Sequence, residues 1–223
     1  MAIGQTLVLF MRSLLRLFFY LLYHPFAFAY DLVAATVSLG RWKDWVMAVV
    51  PFIEGSRLLE IGHGPGHLQR VLRSRGLSAV GLDESAQMGR LAKHRLGESA
   101  SLARGLAQSL PFPNESFDTV VATFPAEYIF DPRTLTESRR VLVRGGRFVV
   151  LPGAIITGRG GLERIMAWLF RATRQTPPDL PEIIRERSRG PFARAGFQVE
   201  THEIRIRSSL VLIVVCTRLQ ESV

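Results

Sequence analysis

The sequence has a single cysteine in 223 residues, Cys216. No intrachain disulfide can therefore form, and its place inside the apolar run LVLIVVCT reads as a buried core thiol rather than a nucleophile. This fits a reducing compartment. Metal-ligand spacing is missing too, the five histidines being dispersed along the chain, and there is no internal repeat and no visible catalytic triad. Acid is in deficit: 28 Lys and Arg against 19 Asp and Glu give a formal charge of +9, carried almost wholly by arginine. Such a balance favours anionic partners, either nucleic acid or acidic phospholipid. The arginines are scattered, with no recognition-module signature and no run of interleaved aromatic and basic residues, which speaks against specific nucleic-acid binding. The length suits one α/β domain with a modest appendage.

What is present centres on RLLEIGHGPGHLQRVL, residues 57–72. An apolar run of Leu58, Leu59 and Ile61, with a carboxylate at Glu60, enters a turn carrying Gly62, Gly64 and Gly66, and an amphipathic helix begins at about His67. That is strand, glycine loop, helix. A second apolar run, Ala79 to Leu82, ends in Asp83, where doubly wound sheets place an acid that accepts hydrogen bonds from ribose hydroxyls. The position a dinucleotide fingerprint reserves for its third glycine is His67, so the NAD pattern fails. An anion at Glu60 would repel a pyrophosphate but would suit a ligand carrying an ammonium and a sulfonium. S-adenosylmethionine has both.

These residues resemble the class I S-adenosylmethionine-dependent methyltransferases, whose first motif reads (Asp/Glu)-x-Gly-x-Gly-x-Gly and whose second ends in an acid. The segment YDLVAATVSLGRWKDWV, through Tyr30, Asp31, Ser38, Leu39, Gly40 and Trp45, looks like the stretch before the first motif in the ubiquinone/menaquinone C-methyltransferase group and related phospholipid N-methyltransferases. The run ARGLAQSLPFPNESFDTVVATFPAEY resembles the superfamily's Asp-Ala-x-x-Leu-Pro-Phe region, with Leu106 where the family carries an acid. LTESRRVLVRGGRFVV resembles its helix, double-glycine turn and strand. The resemblance implies a Rossmann-like, seven-stranded α/β sheet with helices on both faces and an antiparallel last strand. It also implies that Glu60, Gly62, His63, Gly64, Gly66, Asp83, Glu84, Met88, Ala107, Gln108 and Thr123 hold S-adenosylmethionine, with Met88 and Ala107 flanking the adenine. Tyr30 and Phe124 are the corresponding candidates for the acceptor site.

Ligands in open α/β sheets sit beyond the carboxyl ends of the strands, so Thr123 to Tyr128, which follow the apolar strand from Phe117, are where an acceptor would meet the methyl group. Glu127 could orient or deprotonate an acceptor, and Tyr128 could hydrogen-bond it or face the sulfonium. A helix-starting glutamate and a core tyrosine account for the same residues. Tyr30, Trp42 and Trp45 read equally as aromatic packing on the sheet.

Residues 7–23 are nearly all apolar, with Arg12, Arg16, Tyr20 and His24 forming one narrow polar stripe on a helix. A spanning helix would place both arginines in the bilayer at roughly 2.5–3.5 kcal/mol each. A helix lying in the membrane interface avoids that cost, and packing against the domain is the competing reading. The start MAIGQT carries no basic charge, which argues against a signal peptide despite Ala27-Phe28-Ala29. The expected organisation is a membrane-interface segment at 1–29 and a methyltransferase domain at 30–223, interrupted by a helical insertion at about 153–190 with helices at 162–174 and from Pro181. The segment and the charge lead to the expectation of a cytoplasmic protein, peripheral on the inner face of a membrane, acting on a small lipophilic acceptor. A soluble metabolite as acceptor, or cofactor binding without catalysis, are the alternatives.

Overall fold

The computed structural model describes residues 35–36, 38–158, 160–161, 182, 186 and 190–219. Tyr30 and Asp31, the apolar stretch 7–23 and nearly all of the expected insertion helices lie outside the described residues.

Seven strands form one sheet: β1 Leu58–Ile61, β2 Ala79–Asp83, β3 Leu102–Arg104, β4 Phe117–Thr123, β5 Leu142–Ile156, β6 Phe197–Ile206 and β7 Ser209–Arg218, in the order β3-β2-β1-β4-β5-β7-β6. The first five run parallel, and β7 is antiparallel to both β5 and β6. The continuous apolar character of β7 has its cause here, because it lies between two strands and is covered on both faces: Val211 to Cys216 are all buried. The Cys216 thiol, fully buried in the core, has its pKa pushed up by desolvation.

Helices α1 Trp42–Met47 and α2 His67–Arg73 cover one face, packing Trp45, Val46, Leu68 and Leu72 against Leu58, Val121, Val149 and Val215. Next in the chain, α3 Ala86–Leu96 packs beside α2 and against β2 and β3, the Ser85 hydroxyl accepting from Met88 N as its N-cap. On the other face α4 Pro132–Val141, capped by Asp131 accepting from Arg133 N, buries Leu135 and Val141 with Phe148, Phe192 and Leu212. The alternation of β1 assigns the sides: Leu59 and Ile61 face α4, Leu58 faces α1 and α2.

β5 is longer than the sequence pattern implies. The sequence sets this strand at Arg147 to Leu151, after the helix stop at Gly145-Gly146 and before the insertion expected from about 153, with Pro152 at the boundary. The strand instead runs on to Ile156, with a register shift against β7 between Val150 and Gly153 that accommodates the proline as a bulge. The segment expected to begin at 153 therefore starts no earlier than 157. Among the described residues no helix is long and apolar enough to cross a membrane.

Candidate functional site

Strands β1, β2 and β4 end side by side, and the glycine loop leaves the first of them. Gly62 and His63 donate to Leu82 O at 2.7 and 3.3 Å, which ties the loop to the end of β2. Gly62 has φ +73°, and a Cβ there would lie 2.5 Å from the Tyr128 hydroxyl. A side chain is thus excluded twice, by backbone conformation and by the tyrosine lying over the loop. Gly64, at φ +52°, has nothing within 4 Å of its absent Cβ, so its backbone is open to a ligand.

Asp83 closes the loop. Its Oδ2 accepts from Gly64 N and its Oδ1 from Ser85 N, both at 2.8 Å. One carboxylate therefore fixes the glycine loop and the start of α3 while retaining lone pairs for further donors. Glu84 next to it is exposed, and its carbonyl accepts from Arg104 Nε at 3.0 Å.

Glu60 departs from the expectation of a free anion. It is 1% exposed, and its Oε2 accepts from Gln69 Nε2 of α2 at 2.9 Å. Burial, with the nearby Asp83 charge adding to it against the Gln69 hydrogen bond, raises its pKa to about 8. Without a ligand the carboxyl is thus mainly protonated at neutral pH, and a cation brought beside it would draw the proton off. Gln69 has no signal in the motif; it is recognisable only once α2 is set against β1.

His63 is 3% exposed, with Nδ1 2.6 Å from Gly64 O. Desolvation lowers its pKa more than Asp83 and the Gly64 carbonyl raise it, so the ring stays neutral and donates to Gly64. It sits against β2, where a Cβ on Gly81 would come within 3.0 Å of His63 Cδ2 and 2.9 Å of Leu102 Cδ2. Gly81→Ala is accordingly expected to destabilise the domain by about 1–3 kcal/mol through overpacking, read as a lowered denaturation midpoint at unchanged m-value.

The structure brings Gly62, His63, Gly64, Asp83 and Tyr128 together, with Thr123 and Phe124 at the end of β4. Met88, on the first turn of α3, is fully buried, and Ala107 is 7% exposed. Gln108 Nε2 reaches Asp131 Oδ2 at 3.4 Å, and Leu106 is 47% exposed. Glu127 is exposed at the start of a single 3₁₀ turn, Glu127–Phe130.

Two further features were not singled out by motif. Glu137 accepts from Leu110 N at 2.7 Å and holds Arg140, which donates to Leu110 O and Phe112 O at 3.0 and 2.8 Å. This pair pins the loop that carries Leu106 to Gln108, and its three-residue spacing on a helix is the one sequence signal for it. Phe124 stacks on Trp42 of α1 at 4.2 Å and 25°, and holds the left-handed φ of +49°. A phenylalanine there costs on the order of 1–3 kcal/mol, which the stack and the Phe124 N to Leu151 O bond offset. Among the described residues no group of three potential metal ligands occurs.

Comparison with known proteins gives the family and the fold. A family model described as a methyltransferase domain matches residues 59–150, from β1 to β5. The chain is 33% identical over 136 residues to the demethylmenaquinone methyltransferase of Thermotoga maritima, covering 58% of this chain and 59% of that protein. It is 30% identical over 180 residues to the ubiquinone biosynthesis O-methyltransferase of Cereibacter sphaeroides, covering 74% of this chain and 72% of that protein. With several of the demethylmenaquinone methyltransferases the match spans little more than half of the relative's length. In fold it is similar to phosphoethanolamine N-methyltransferase 2 of Haemonchus contortus, solved with S-adenosyl-L-methionine, at a TM-score of 0.57 and 18% identity over 81% of this chain and 53% of that one.

Proposed function

Because the chain belongs to the class I S-adenosylmethionine-dependent methyltransferases, we propose that it transfers a methyl group from that donor to a small lipophilic acceptor taken from the cytoplasmic face of a membrane. The residues around the glycine loop fit the donor. Gly64 leaves open space where the methionine portion would lie, Asp83 offers a carboxylate at the end of β2 for a ribose, and Glu60 becomes an anion when a cation is near.

The sulfonium supplies an already activated methyl group, so the protein's work is alignment, exclusion of water and, for an acceptor that carries a proton, its removal. In this reading Tyr128, whose hydroxyl lies over Gly62, orients the acceptor toward the methyl carbon, and Glu127 beside it takes up a proton. The observation that carries the acceptor class is the aromatic stack at the end of β4, where the half-buried Trp42 and Phe124 lie 4.2 Å apart, ring centre to ring centre, backed by the buried Trp45. A planar or greasy acceptor gains from such a surface and a highly polar one loses its hydration there. Relatives named for demethylmenaquinone and for ubiquinone biosynthesis support the same class.

Incubating the protein with labelled methyl donor and separate lipid and aqueous extracts is expected to place label in the lipid fraction. Label confined to the aqueous fraction would mean a soluble acceptor. Donor binding with no label in either would mean a protein that binds without catalysing.

A further inference from the structure

We propose that the cavity between α1 and α2 binds the anionic headgroup of a membrane phospholipid and is the point at which the folded domain docks on the bilayer. The proposal rests on the membrane reading above and assigns it a site. The cavity measures about 180 Å³; Trp42, Val46 and Val71 give it apolar walls, and its polar lining is Lys43, His67 and Arg70, with no carboxylate. That volume corresponds to about six waters of bulk liquid and falls below the roughly 300–1,000 Å³ of sites that enclose a cofactor-sized ligand. It suits a phosphate-bearing headgroup, not the methyl donor.

The charges here are uncommitted. Neither Lys43 nor Arg70, both exposed, has an ion-pair partner among the described residues. The next basic residue of α2 is used differently: Arg73 donates to Leu96 O and to Ser99 Oγ and so fastens α2 to the end of α3. The one acid of α1, Asp44, is engaged by Arg207 Nε at 3.5 Å. On the far side of His67, Arg95 Nη1 lies 3.3 Å from the ring and donates to Pro65 O at 2.8 Å, which adds a further positive charge. Among the described residues, an anion entering the cavity therefore meets cations and no competing carboxylate.

Chain continuity points the same way. Ala35, the first described residue, stands in the cavity wall, and the apolar, arginine-bearing stretch precedes it in the chain. An apolar segment and a basic surface in one chain are the two signals by which peripheral proteins hold an anionic bilayer.

The test is flotation of the full-length chain with phosphatidylcholine vesicles, with and without phosphatidylglycerol, for wild type and Lys43→Glu/Arg70→Glu. The pair Arg133→Glu/Arg205→Glu, also exposed, matches the change in charge elsewhere. Wild type is expected to float with the phosphatidylglycerol vesicles only. Lys43→Glu/Arg70→Glu should weaken this by at least about tenfold and the control pair by less than about threefold, with binding of S-adenosylhomocysteine unchanged in both. Failure of wild type to bind would overturn the membrane reading and the site together. Equal flotation of wild type and Lys43→Glu/Arg70→Glu would overturn the site alone, and so would equal loss in the control pair. Loss of S-adenosylhomocysteine binding would return the cavity to the donor. Displacement from vesicles by inorganic phosphate at constant ionic strength would show a site for free phosphate instead and also overturn the assignment.

Discussion

Asp83→Ala is expected to lower the affinity for S-adenosylmethionine by roughly a hundredfold or more, the equivalent of about 3 kcal/mol for two hydrogen bonds from ribose hydroxyls to a charged acceptor. The same change should cost about 2 kcal/mol of stability, because Gly64 N and Ser85 N both lose an acceptor now 2.8 Å away. Asp83→Asn separates the two effects. Its amide oxygen can still accept from one of the backbone amides, so the fold should be closer to wild type while ligand affinity falls with the lost charge. Titration calorimetry gives the affinity and urea unfolding the stability. An alanine variant that binds as wild type does would remove Asp83 from the site.

The second large effect concerns Glu60 and pH. Burial raises its folded-state pKa to about 8, well above the usual value for a glutamate, so the folded protein holds a proton that the unfolded chain releases near pH 4.5. The sign follows: the stability linked to this group is fully present below the unfolded value and is lost as pH rises through about 8. Glu60→Gln keeps the uncharged shape and a partner for Gln69. It should therefore be more stable than wild type at pH 9 and similar to it at pH 5, with a flatter profile between. Donor binding works in the opposite sense. An ammonium beside Glu60 favours the ionised form, so wild-type affinity should rise between pH 6 and pH 8 by up to about tenfold per unit, with release of a proton on binding. Calorimetry in two buffers of different ionisation heat reads that proton directly. It should be absent in Glu60→Gln, and the variant should bind more weakly at pH 8. A variant that releases the same proton would place the linkage on another group.

Much of this was legible in the chain because it is local. Three glycines within five residues, an apolar run before them and an acid at the end of the next run specify the β1 to β2 unit without reference to anything distant. The capping of α3 by Ser85 and of α4 by Asp131 is local in the same way. What the sequence did not disclose depends on pairings across the fold. The length of β5 is set by β7, which keeps Gly153 to Ile156 in the sheet despite Pro152. The protonation of Glu60 depends on α2 presenting Gln69 from nine positions away and sealing it from water. The strained Phe124 needs Trp42, 82 residues earlier, to hold it.

All of this turns on a sulfonium donor, with its ammonium and ribose, being the molecule that Glu60, Gly64 and Asp83 are arranged to hold. Calorimetric titration of the purified chain with S-adenosylhomocysteine, and separately with NADH, measures that directly. One saturable site for S-adenosylhomocysteine and no heat with NADH is the expected result. Saturable binding of NADH, with none for S-adenosylhomocysteine, would contradict it.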